Sequence, residues 1–274
     1  MAGVVKLDPR PALAPFVAGI HYLESDCASD GPALERILPS ARVHLLVNLR
    51  EDEIRTYHGD DCATVRRSRG AVLEGAASRA RVIDTGAQRC LMSVDFTLGG
   101  AAAFLGIPLD EARDELVELD QLWGCDGAAL RERLLEAASA ADKLRVVESL
   151  LFRRLRKRDE PDVALRCAAA LLARGVSVSE AASRVGLLPR TLARRFRATV
   201  GLSPKRYSRV RRLQRVVRSI GDAQSADWCD LAATHGYVDQ AHLIHDFRAL
   251  AGMTPTAYRP RSPGEHNHVP VAQG

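Results

Sequence analysis

Two stretches, LARRFRATVGLSPKRY (residues 192–207) and LIHDFRALAGMTPTAY (residues 243–258), carry one pattern. Leu192, Phe196, Gly201, Pro204 and Tyr207 recur as Leu243, Phe247, Gly252, Pro255 and Tyr258 at identical spacings. Just upstream, Ala182-x3-Gly186 returns as Ala232-x3-Gly236, with one additional residue between Gly and Leu in the second copy. A repeat at a separation of about fifty residues implies two copies of one supersecondary unit.

The unit reads as helix-turn-helix. Ser177-x-x-Glu180 is a capping box, so a helix starts at Val178, and Gly186 stops it about two turns later. Pro189 suits the first turn of a second helix, which Gly201 ends. Leu192 and Phe196 lie i, i+4 on its buried face, and Arg190, Arg194 and Arg197 project from the other. A short helix followed by one with a basic outer face has the shape and charge to enter a major groove. In the second copy Trp228 to Ala233 forms the first helix, and Asp239 N-caps a helix from Gln240 to about Ala251. There Leu243, Phe247 and Leu250 face inward, while Ala241, His245 and Arg248 face out. Between the copies, Pro204 to Ile220 is a linking helix with Tyr207, Val210, Leu213, Val217 and Ile220 as its apolar stripe. Lys205, Arg206, Arg209, Arg211, Arg212, Arg215 and Arg218 cover its remaining surface. At 1.5 Å per residue it spans roughly 25 Å, near the roughly 34 Å between successive major-groove faces once the flanking helices add their width.

The paired units, the basic linking helix and the ending G-Y-x-D-Q-x-H-x-x-x-x-F-R-x-x-x-G-x-x-P-x-x-Y-R, from Gly236 to Arg259, resemble the AraC/XylS transcription regulators over residues 163 to 260. The resemblance implies a sequence-specific DNA-binding regulator, activator or repressor, and not an enzyme. By similarity, Arg190, Ala193 and Arg194 hold the base-reading positions of the first recognition helix, and Gln240, Ala241, Ile244 and His245 those of the second. Alanine at 193 and 241 offers a base only an apolar contact, as to a thymine methyl. Arg197, Lys205, Arg206, Arg209, Arg212 and Arg248 are expected to hold phosphates. The partners implied are double-stranded DNA, a small-molecule effector, RNA polymerase and a second copy of the chain. No cofactor is implied, and the effector-binding residues stay unassigned.

Charge agrees with one polyanion-binding half. Residues 163 to 262 hold 17 Lys/Arg against 6 Asp/Glu, whereas the remaining residues hold 22 against 28. That asymmetry, within a net +5, places the nucleic-acid partner on the carboxy-terminal part alone. Composition is globular, with 46% apolar and 27% charged residues over 274 positions. No apolar run has bilayer-spanning or signal-peptide length, so a cytoplasmic protein with no membrane partner is expected. Cys27, Cys62, Cys90, Cys125, Cys167 and Cys229 form no C-x-x-C pair and read as small buried hydrophobes.

The expected class is α+β: a β-rich, barrel-like region (1–98), a helical extension for linkage or dimerisation (99–158), the all-α double helix-turn-helix domain (163–260) and a disordered tail (261–274). The charge run and proline from Arg153 to Asp162 mark the boundary before the basic domain. Residues 42–49 and 54–57 suggest a hairpin, with further strands at 71–75, 81–84 and 90–96, in a small barrel or sandwich. Short helices are expected at 101–105 and 110–116 with a turn at Trp123-Gly124, then paired helices at 128–138 and 142–156. The competing reading is a metal- or thiol-dependent enzyme with a DNA-targeting domain. It would use His21, His44 and His58 with Glu35 or Glu53, or Cys125. No strand supplies a two-ligand H-x-H or H-x-D pair, and Cys125 lies beside acidic neighbours that oppose a thiolate. His242 and His245, with His235, sit by the second recognition helix, where contact with nucleic acid or solvent is the better reading than metal.

Overall fold

The computed structural model describes residues 2–25, 34–58, 62, 64–155, 161–220, 228–262 and 264–271. The amino-terminal half begins with β1 (Ala2–Leu7), β2 (Val17–Ser25), β3 (Leu34–Ile37), β4 (His44–Asn48), β5 (Glu53–His58), β6 (Thr64–Arg69), β7 (Ala71–Glu74), β8 (Arg81–Asp84) and β9 (Cys90–Phe96). It continues through α1 (Ala102–Leu105), a 3-10 turn at Leu109–Ala112, β10 (Leu116–Glu118), α2 (Leu119–Trp123), α3 (Cys125–Glu136) and α4 (Ala140–Arg154). The carboxy-terminal half is α5 (Val163–Ala173), α6 (Val178–Arg184), α7 (Pro189–Val200), α8 (Pro204–Ile220), α9 (Trp228–Thr234), α10 (Gln240–Ala251), a 3-10 turn at Pro255–Ala257 and β11 (His268–Pro270).

Alternation shapes the strands. Met92, Val94 and Phe96 on β9, and Leu45 and Val47 on β4, bury every second side chain. The strands make two antiparallel sheets, in the orders β1-β2-β9-β4-β7-β10 and β11-β3-β8-β5-β6, rather than a closed barrel. The hairpin expected between residues 42–49 and 54–57 does not form. β4 pairs with β7 and β9, whereas β5 pairs with β6 and β8. Asn48 is the cause: its buried side chain accepts from the N–H groups of Arg50 and Glu51 and donates to the carbonyls of Glu53 and Ala87. This Asx-type turn carries the chain from one sheet to the other.

Two helix expectations also change. Residues 110–116 form only the 3-10 turn, because Asp114 adopts φ +61 and Leu116 opens β10. The Trp123-Gly124 turn is the end of α2, separated from α3 by Gly124 at φ +57. α3 and α4 pack together, with Leu130, Leu134, Leu144, Val147 and Leu151 in the core. Cys125, Cys167 and Cys229 occupy solvent-facing positions at or in helices, against the expectation of burial, while Cys62 and Cys90 are half-buried. Cys27 and residues 156–160 of the expected boundary lie outside the described residues.

The tail from Arg261 is not the disordered segment expected. β11 adds antiparallel to β3 as the edge of the five-stranded sheet, with Val269 opposite Arg36. Glu35, 4% exposed, accepts from Arg261 at 2.7 Å and pairs with His268 Nδ1 at 2.7 Å. The buried Tyr258 donates its hydroxyl to the His266 carbonyl at 2.8 Å. A local reading misses this ordering because the partners lie more than two hundred residues apart.

Burial alone would push the Glu35 carboxyl up, but hydrogen bonds and charge from His268 and Arg261 outweigh it and hold it below the ordinary carboxylate range. A depressed folded-state pKa contributes stability that is present above the unfolded value, about 4.3, and is lost as pH falls through the folded value. The Val271 amide donates to the Leu34 carbonyl at 2.9 Å. Below about pH 4 it is expected to lose hydrogen-exchange protection ahead of β9 amides, after correction for intrinsic rates; simultaneous loss would contradict this.

Candidate nucleic-acid interface

The repeat returns as repeated geometry. In each unit a glycine at positive φ, Gly186 at +69 and Gly236 at +74, turns the chain after the first helix. The next residue's N–H then reaches back to an equivalent carbonyl: Leu187 to Ala182 and Tyr237 to Ala232, both at 2.9 Å. This is the 6→1 bond of a glycine-terminated helix. Each second helix ends on a left-handed glycine, Gly201 or Gly252, whose N–H bonds to Arg197 or Arg248. The shared spacing from Phe to Tyr becomes an edge-to-face ring pair in both copies: Phe196 with Tyr207 at 5.3 Å and Phe247 with Tyr258 at 5.9 Å. Such pairs contribute about 0.5–1.5 kcal/mol beyond their area. The additional residue of the second copy is absorbed in the turn, where Val238 is 86% exposed. Asp239 then caps α10 by accepting from the His242 N–H at 2.7 Å.

Those cores leave α7 and α10 with open outer faces. Arg190, Arg194 and Arg197 are exposed, and none of them is held by a side-chain hydrogen bond or ion pair among the described residues. Arg195, between them in sequence, is instead tied to Asp162 at 2.5 Å. Ala193 is half-buried. On α10, Gln240, Ala241, His245 and Arg248 are exposed and Ile244 is half-buried. Cys229 contacts the Gln240 amide oxygen at 3.4 Å. The two faces are therefore not covered by the amino-terminal half.

Among the residues expected at phosphates, Lys205 and Arg206 at the start of α8 are exposed. Arg209 and Arg212 are committed elsewhere. Asp246, 3% exposed on α10, accepts from Arg209 at 2.7 and 3.1 Å and from Arg212 at 2.9 Å. Arg212 also donates to the Gly236 carbonyl at 3.0 Å and stacks 4.1 Å over the Tyr237 ring. These arginines fasten the second unit to the linking helix, since a bidentate guanidinium satisfies a buried carboxylate in a way solvent cannot. Burial pushes the Asp246 carboxyl up, but the two arginines outweigh that and hold it low. Sequence reasoning passed over Asp246. Its signal was that it is one of only 6 acids in the basic segment.

The histidines of the second unit divide. His235 is buried with Nε2 at 3.0 Å from Ser219 Oγ, and burial with the nearby Arg215 pushes its pKa down. The His242 ring packs edge-on against Tyr237. Only His245 faces out. The residues weighed for an enzyme are dispersed. His21 and His44 both face Asp95, Glu35 holds the tail, and Glu53 pairs with Arg55 and Arg67. The His58 side chain lies outside the described residues. Among the described residues, no three His, Cys, Asp or Glu side chains are grouped to hold a metal ion, and no helix is long and apolar enough to cross a membrane.

A cavity of about 680 Å³ lies between the two sheets, with Leu46 and Ser93 contributed by one and Thr56 and Ile83 by the other. Its remaining wall comes from the carboxy-terminal half: Arg211, Gln214 and Arg218 of α8, with Arg261, Asn267 and His268 of the tail. Gln214 bonds both the Pro39 carbonyl and Asn267, each at 2.8 Å. That size suits a small organic molecule.

A domain of unknown function, DUF6597, matches residues 5–118. No curated protein matches the chain. Among solved structures it is similar to ToxT from Vibrio cholerae, at 12% identity over 94% of this chain and 97% of that one, with a TM-score of 0.39. It is likewise similar to unsaturated fatty acid-bound ToxT from Vibrio cholerae strain SCE256, at 10% identity over 94% of each chain and a TM-score of 0.41. Likeness this loose carries no residue role across. The helix-turn-helix domain family matches residues 181–261, which enclose both copies of the repeat from Ala182 to Tyr258. Residues 181–261 are a helix-turn-helix domain of the AraC type, the domain of DNA-binding transcription regulators.

Proposed function

We propose that this regulator binds a specific DNA sequence through α7 and α10 and responds to a small anionic effector held between its sheets. One observation carries the DNA reading. The duplicated unit buries equivalent residues in both copies and leaves Arg190 and Arg194 exposed on the first recognition helix, with no ion-pair partner among the described residues. Arginine forks match the O6 and N7 acceptors of guanine. Gln240 and His245 read a second groove, and Lys205, Arg206, Arg197 and Arg248 contact phosphates.

The effector reading rests on the cavity lining. Arg42, Arg211 and Arg218 form no ion pair with a described residue, and Arg211 Nε is buried without a hydrogen-bond partner. A buried guanidinium nitrogen left unpaired costs about 1–3 kcal/mol, which a carboxylate or phosphate on the ligand would recover.

In vitro selection from a random duplex library tests the DNA reading: enrichment of one sequence is expected, and equal retention of all sequences would sink it. Lys205→Ala is expected to weaken binding to every sequence alike and to lower the salt slope by about 1.

A further inference from the structure

We infer that the loop Gly75–Ala80 in the amino-terminal half is a spacer that positions the two recognition helices relative to each other, and so sets the distance between the two DNA boxes the protein accepts. The inference rests on the DNA reading above. The loop meets the carboxy-terminal ends of both helices. At the first, a Cβ added to Gly201 would stand 3.1 Å from the Cβ of Ala76 and 3.1 Å from the Leu109 carbonyl, so the end of α7 is pressed against the loop and its neighbouring turn. At the second, the Ala80 N–H donates to the Leu250 carbonyl at 2.7 Å. Arg36 donates to the Gly252 carbonyl at 2.8 Å beside it. Gly201 and Gly252 are the same position of the repeat, so the two units are gripped at equivalent points.

The loop is built to hold a length. Ser78 donates its N–H and its hydroxyl to the two carboxylate oxygens of Asp114, at 2.5 and 2.7 Å. Asp114 in turn donates its N–H to the Ala76 carbonyl at 3.3 Å, and the Gly75 N–H reaches the Glu115 carbonyl at 3.0 Å. Gly75 lies so close to the Ala112 carbonyl that any Cβ would overlap it. Asp114 itself sits at φ +61, a left-handed conformation that aspartate tolerates better than most non-glycine residues. The linking helix α8 joins the two units directly, and this braced loop is a second connection between them. Glu74 and Arg81, which flank the loop and pair with each other, also line the cavity, as does Ala77. The spacer therefore stands between the cavity and both recognition helices.

The test uses the full chain and the sequence enriched by selection, rebuilt with the two boxes one base pair closer and one base pair further apart. The wild type is expected to lose about tenfold in affinity on either shift. Asp114→Gly keeps the positive φ while removing the carboxylate brace, and Arg36→Ala removes one of the two hydrogen bonds at the second helix end, leaving that from Ala80. Each is expected to bind the original spacing as the wild type does and to lose about threefold or less on the shifted ones. Arg36→Ala, a half-exposed side chain, decides the matter if Asp114→Gly does not fold by thermal denaturation. Folded variants that keep the full wild-type penalty would overturn the spacer alone. A wild type that enriches no two-box sequence would overturn the DNA reading, and the spacer with it.

Discussion

Replacing Arg194 with alanine is expected to cost about 1–3 kcal/mol of binding to the preferred sequence, roughly five- to a hundredfold, with little loss on random DNA. The side chain is exposed on α7, between the core residues Leu192 and Phe196 in sequence but off their buried face, so the substitution removes no core packing. Alanine is also the best helix former, so α7 itself should persist. What is removed is a pair of directional donors, whose effect depends on the base opposite. Selection with the variant should therefore lose preference at one base pair and keep the rest of the site. A phosphate contact behaves differently, weakening all sequences together. Equal loss on preferred and random DNA would reassign Arg194 to the backbone.

The second large effect is on stability. Asp246→Ala is expected to destabilise the second helix-turn-helix unit by about 2–4 kcal/mol. The carboxylate is almost wholly buried and takes both Arg209 and Arg212, so its removal leaves two guanidinium groups facing each other without a counter-charge. Arg209 is partly exposed and can turn to solvent, which keeps the cost below that of a sealed pair. The same carboxyl is held below its ordinary pKa. Its contribution is thus present above the unfolded value of about 3.9 and fades as pH falls through the folded value. Denaturant unfolding at neutral pH and near pH 3 should show the variant and wild type converging on acidification. A neutral-pH difference under about 0.5 kcal/mol would mean that these ion pairs do not fasten the second unit to α8.

Much of the carboxy-terminal half was legible because its determinants are local. The capping Ser177 and Asp239, Pro189 in a first turn, and the left-handed Gly201 and Gly252 act within four residues of the helix ends they define. Expectations for Pro189–Val200, Pro204–Ile220 and Gln240–Ala251 accordingly match α7, α8 and α10. The amino-terminal half was harder. β2 and β3 escaped notice because Gly19, His21 and Glu35 interrupt a simple alternation, and their burial is decided by the strands beside them. α5 offers an alanine-rich run with a modest amphipathic pattern, and it packs more against α8 than against its sequence neighbour α6.

By itself, then, the sequence determined the repeated helical unit, its two basic or polar faces and the helix-turn-helix type they belong to, since caps, turns and i, i+4 stripes are short-range devices. Only the tertiary structure decided which arginines remain free. Arg194 and Arg209 look alike in one dimension, yet a carboxylate thirty-seven positions away claims the second and none among the described residues claims the first. The same holds for the ordered tail on β3, the cavity walled by both halves and the loop that meets both helix ends. Each depends on groups brought together across long stretches of chain, and a charge's partner is set by distance in space, which the order of residues does not state.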